Sequence, residues 1–135
     1  MPTIEESLRY YLNTTGLSLG PISQRVYLFH TTQLKTRPYL VLTNITPHPR
    51  HAHDGPTTSQ ERVYQFSIFD DSQSDGAALA DALRRLIDGF QGVMGPVGSQ
   101  LTVRSILFES QRYIYEQEER THGFNQDYCI QWYEA

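Results

Sequence analysis

Apolar and polar positions along this chain alternate between two periods, and the switches mark out its elements. From Glu61 to Asp70 the period is two: Tyr64, Phe66 and Ile68 fall on one side, Val63, Gln65, Ser67 and Phe69 on the other. Successive side chains of a β-strand leave opposite faces, so this stretch predicts a strand over about 60–70. Neither side is wholly polar, which places the strand inside a sheet. Near the N-terminus the period is helical instead. Ile4, Leu8, Tyr11 and Leu12 fall at i, i+4, i+7 and i+8, the stripe of an amphipathic helix. Thr3 and Glu6 have the spacing of a capping box, and Gly16 is placed to end the helix, so it spans about 3–14.

Shorter signals fill the rest. Arg25 to Phe29 reads as a strand, and Tyr39 to Ile45 as a second strand entered through Pro38. Pro47 to Ser59 is a polar loop rich in proline. After the 60–70 strand, Asp70 to Ser74 turns, and Ser74 or Asp75 caps a second helix. Its stripe is Leu79, Leu83, Leu86, Ile87 and Phe90, with Asp81, Arg84, Arg85 and Asp88 on the polar side. Gly89, Gly92, Gly95 and Gly98 then read as a helix stop and a flexible connection. Strands over about 101–109 and 124–133 close the chain, the latter with Tyr128, Ile130 and Trp132 on one face. Between them, Arg112 to Arg120 either extends the two strands as a long hairpin or protrudes as a loop. The order α-β-β-β-α-β-β predicts a single α+β domain over 1–135. Its sheet is mostly antiparallel, with two helices on one face. Tyr64, Phe66 and Ile68 then lie under the second helix, and Val63 and Phe69 need cover from the first helix or from a neighbouring subunit. Tyr64, Tyr128 and Tyr39 are assigned to the core.

Composition narrows the function. The chain has 135 residues and a net charge of −4, which argues against a protein that grips nucleic acid by neutralising phosphates. One cysteine, Cys129, cannot make an internal disulfide, so a disulfide scaffold is excluded and a reducing compartment fits. The N-terminus shows no apolar core of a signal peptide, and no apolar run approaches the ~20 residues needed to span a bilayer. Lys35 is the only lysine; ten arginines carry the rest of the positive charge. Arginine is enriched at protein interfaces, although coding bias accounts for the excess equally well.

Candidate chemistry is sparse. His48, His51 and His53, with Asp54, offer imidazoles for zinc or nickel. Their spacing matches no structural zinc pattern, and the competing reading is a solvated loop that gains charge as pH falls. Cys129 has no local device to lower its pKa and reads as a small core residue. The glycine series lacks the ending of a phosphate loop. Glu116, Glu118 and Glu119 read as a solvated face. No cofactor is expected.

Taken in order, the pieces resemble the tail-completion or tail-terminator family of long-tailed bacteriophages, the tail-to-head joining proteins. The resemblance rests on a short N-terminal helix, the Arg25-Val26-Tyr27 strand, Pro38-Tyr39-Leu40-Val41-Leu42, and the alternating Val63 to Ser74. It continues through the Leu79 to Phe90 helix and the aromatic strand Tyr128 to Tyr133. It covers almost the whole chain, although the histidine-bearing loop is long for the family and 112–120 has no counterpart. The resemblance implies a structural virion protein rather than an enzyme. Such a protein assembles in the host cytoplasm and sits at the tail-neck junction as a ring, usually a hexamer. The ring caps the tail tube and meets the tube protein on one side and the head-completion (stopper) protein on the other. DNA passes through the lumen without sequence-specific binding, and no membrane is involved. A ring needs two different patches per subunit. Candidate contacts are Pro47, His48, Pro49, Arg50, His51 and His53 in the loop, and Arg112, Glu116, Glu118, Glu119 and Arg120. The alternatives are another neck or tail-tube ring component, or a small metal-binding enzyme using the histidine loop.

Overall fold

Among the described residues, the helical stripes and alternating strands assemble into two helices on a six-stranded sheet. The computed structural model of the protein describes residues 3–14, 26–28, 39–45, 59–98, 100–117 and 120–133. The elements are α1 (Ile4–Thr14), β1 (Val26–Leu28), β2 (Tyr39–Asn44), β3 (Ser59–Asp70), α2 (Gln73–Ile87), β4 (Gly92–Met94), β5 (Leu101–Glu116) and β6 (Thr121–Tyr133). The α+β class and the order α-β-β-β-α-β-β are as the sequence predicts, with the three-residue β4 as an addition. The sheet order is β1-β2-β3-β6-β5-β4. Among the described strands, β1 and β2 pair in parallel and the other pairs are antiparallel.

The strand over Ser59–Asp70 lies inside the sheet, between β2 and β6. Register then builds one apolar face. Tyr64 stands opposite Tyr128, Phe66 opposite Gln126, and Ile68 opposite Phe124 and Leu40. Both helices cover this face. Ile4, Leu8 and Leu12 from α1 and Ala80, Leu83 and Ile87 from α2 join the same buried cluster. The Phe66 and Tyr128 rings meet edge to face at 5.2 Å, a geometry that adds to burial alone. Leu79 and Leu86 pack on the cluster while half-buried.

Because α1 shares a face with α2, it does not cover Val63 and Phe69. The second face carries Tyr39, Val41, Val63, Ser67, Phe69, Gly123 and Cys129, and no described helix lies over it. Two expectations need correction here. Tyr39 is not in the helix-side core; it is half-buried beside Phe69, ring centroids 5.2 Å apart. Cys129 is half-buried on this same face, between Val63 and Leu107 across the ladders. Phe69 lies over Gly123, where a Cβ would stand 3.3 Å from its ring.

The ends of α2 also differ from expectation. Ser72, not Ser74 or Asp75, is the N-cap: its hydroxyl accepts the Asp75 N–H at 3.4 Å. Ser74 and Asp75 already lie in the first turn. The helix stops at Asp88, whose N–H donates to the Arg84 carbonyl at 2.9 Å. Gly89 follows at φ +82°, a left-handed conformation that a Cβ penalises. Phe90 therefore packs from beyond the helix, its ring 5.0 Å from Tyr11. The glycine run is not merely a connection, since Gly92–Met94 forms β4 against β5. Ser72→Ala should cost about 1 kcal/mol, the usual cost of removing a serine cap, read as a lower urea midpoint with unchanged slope.

Candidate assembly surface

Of the two readings of 112–120, the structure has the hairpin. β5 runs to Glu116 and β6 begins at Thr121, with Arg120 in the turn at φ +52°. Tyr-Ile-Tyr has strong strand propensity, and pairing with Thr121 to Asn125 supplies the ladder. The result is an arm. Every residue of β5 from Glu109 to Glu116 is exposed. Tyr113, Ile114 and Tyr115 are 44%, 47% and 45% exposed, a concentration of apolar surface on an element that packs little against the helices. Tyr113 and Tyr115 flank His122: Tyr113 stacks on its ring, with Oη hydrogen-bonded to Nδ1 at 2.5 Å, and Tyr115 lies 4.8 Å away, centroid to centroid.

Arg112, Glu116 and Arg120 sit on this arm, exposed. Arg112 donates to Gln65 Oε1 at 3.2 Å and approaches Asp127 Oδ2 at 4.0 Å, while Ser110 donates to the same carboxylate oxygen at 3.1 Å. Gln65 in turn donates to Ser67 Oγ at 3.1 Å. A polar seam thus crosses β5, β6 and β3 on the second face. Pro47, His48, Pro49, Arg50, His51 and His53, with Glu118 and Glu119, lie outside the described residues. Among the described residues, no cluster of three metal-ligating side chains occurs, and no helix is long and apolar enough to cross a membrane.

Buried polar groups behind the surface fix how rigidly it is held. Tyr128 donates to Gln126 Oε1 at 2.7 Å, and Gln126 Nε2 donates to the Ala80 carbonyl at 2.9 Å and to Gln111 Oε1 at 2.7 Å. This chain of bonds ties α2, β6 and β5 together. Tyr64 donates to Glu5 Oε1 at 2.8 Å, joining β3 to α1. Arg84 lies over the Phe108 ring at 3.8 Å and Arg62 over Trp132 at 5.5 Å, contacts that favour a cation. The sequence reading missed Gln126, although strict alternation along β6 already put it on the face of Phe124 and Tyr128.

Burial, with the Glu5 carboxylate second, pushes the Tyr64 hydroxyl well above its ordinary 10.0; burial, with Asp88 second, does the same to Tyr128. The unfolded chain therefore ionises first as pH rises. The stability these groups carry is full below pH ~10 and is lost as pH climbs through the raised folded values, at about 1.4 kcal/mol per pH unit per group. Urea midpoints should fall steeply above pH ~10. Tyr128→Phe should flatten that fall by the one-group share of about 1.4 kcal/mol per pH unit; an unchanged slope would contradict the assignment.

No family model matches the chain, and no curated protein matches it. Among solved structures, its fold is shared with a chain of the virion of a native gene transfer agent particle. The TM-score is 0.73 at 12% identity, over 96% of this chain and 94% of that one. A second solved structure matches with a TM-score of 0.61 at 13% identity, over 98% of this chain and 97% of that one. Both similarities are of fold.

Proposed function

We propose that this chain is a structural protein of a phage-like virion, and specifically a tail terminator. In this reading it caps the head-proximal end of the tail tube as a closed ring and offers its other side to the head-completion protein. One observation supports the virion part of the reading: over 96% of this chain the fold is similar to that of a chain in a gene transfer agent virion; the terminator role rests on the sequence resemblance. The surface supports it. Among the described residues both helices lie on one face of the sheet; the second face, where Tyr39, Val63, Phe69 and Cys129 are half-buried, is the surface assigned to neighbours, and the exposed arm is a further patch. A ring interface is heterologous and needs two different patches, which this reading assigns to the second face and the 47–59 loop. The 47–59 loop is assigned to contacts with neighbours in the ring on its length and composition, and 112–120, on its exposure, to contacts with the next ring. No catalytic step belongs to this role. The test adds purified protein to tail tubes assembled from the tube protein of the same phage. Electron microscopy should show it at one end of each tube, with elongation halted. Binding along the tube length, or continued elongation, would overturn the reading. Deleting residues 49–57 should weaken assembly, and unchanged assembly would remove the loop from the interface.

A further inference from the structure

β5 is guarded unevenly on its outer edge. β4 pairs only with Leu101–Val103. The ladder with β6 then shifts register between Val103 and Ser105 and again between Phe108 and Ser110. The Gly89 N–H donates to the Ile106 carbonyl at 2.7 Å, and the Asp88 carboxylate accepts the Phe108 N–H at 2.9 Å. Bulges and local caps of this kind keep a sheet edge from pairing with another chain. They stop at Ser110. From there to Glu116 the register with β6 is unbroken, and no described strand lies outside it.

The sequence on this open edge, Arg112-Tyr113-Ile114-Tyr115-Glu116, is its own antiparallel complement. With Ile114 laid opposite Ile114 of a second copy, Arg112 meets Glu116 on both sides and Tyr113 meets Tyr115. The faces agree, since Arg112, Ile114 and Glu116 share one side of the strand and the two tyrosines the other. Opposite charges and aromatic pairs are the favourable partners directly across a ladder. Other two-fold registers are worse. An axis at Tyr113 or Tyr115 puts a charge or a polar residue against Ile114 or its neighbours; an axis at Arg112 or Glu116 puts like charges opposite. The Arg112 side chain is 61% exposed, so its guanidinium remains reachable despite its contacts with Gln65 and Asp127.

The geometry points to a two-fold contact in which two copies of this chain pair β5 to β5 over residues 112–116, joining their sheets edge to edge. Such a contact closes at two copies. It is therefore separate from the contact that makes a ring; where rings form, it docks two of them face to face. It rests on the arm alone and not on the tail-terminator reading.

Cysteine placement tests the register. Ile114 faces its own copy at a Cα separation of about 4.5–5.5 Å, within disulfide reach. In a Cys129→Ser background, Ile114→Cys should oxidise to a covalent dimer of twice the 15.6 kDa chain mass. Tyr113→Cys, two residues out of register with its copy, should not. Charge tests the pairing. Arg112→Glu and Glu116→Arg should each weaken self-association by about tenfold in sedimentation, and the double exchange should restore it. A double variant as weak as the singles, or no Ile114→Cys dimer, would overturn the pairing. Rings without that cross-link would overturn it while leaving the functional reading intact; cross-linked dimers without rings would do the reverse.

Discussion

Replacing Phe66 with alanine should cost about 3–5 kcal/mol, the range for removing a fully buried aromatic ring. That is a large part of the ~5–15 kcal/mol by which domains of this size are stable. Phe66 is fully buried in the cluster that residues of both helices join, and meets Tyr128 edge to face. Its truncation leaves a void bounded by β2, β6 and α2, elements too interlocked to collapse into it. Phe69, three residues along, faces the other way, half-buried over Gly123 beside Tyr39. Phe69→Ala should cost only about 1–2 kcal/mol. Urea denaturation of the two variants compares the faces directly. Equal losses would mean that the second face is as fully packed as the first, and would count against a surface kept for neighbours.

Gln126→Leu should cost about 2–3 kcal/mol, although it makes the core more apolar. Gln126 is fully buried, and its amide satisfies Tyr128 Oη while holding the Ala80 carbonyl. Leucine leaves the Tyr128 hydroxyl buried without a partner, a penalty of about 1–3 kcal/mol. Tyr128→Phe alone should also destabilise, because it strands Gln126 Oε1. The double variant Gln126→Leu/Tyr128→Phe should lose less than the sum of the singles, by about 1 kcal/mol or more. Simple additivity in the urea series would show that the two side chains do not act as one network.

The residues that made these features predictable are specific. β3 and α2 were legible because Tyr64-x-Phe66-x-Ile68 and Leu79 through Ile87 repeat cleanly at strand and helix periods. The cap of α2 was displaced by two residues, because Ser72, Ser74 and Asp75 are all competent caps and only the path of the turn selects one. β4 escaped notice since Gly92-Val93-Met94 carries no alternation; it exists by pairing with Leu101 to Val103. The arm was ambiguous for a related reason. Arg112 to Glu116 is a strand only through its partners in β6, and local composition does not report a partner. Arg112, Glu116 and Arg120 were singled out by charge, whereas the exposed Tyr113, Ile114 and Tyr115 between them are the more informative surface.

The ring is the claim from which the rest of the functional account follows. Electron microscopy of the purified full-length chain tests it most directly. Short closed rings, single or paired face to face, with no growth along their axis, are expected. Long tubes, or a preparation containing only monomers and dimers at every concentration, would contradict it.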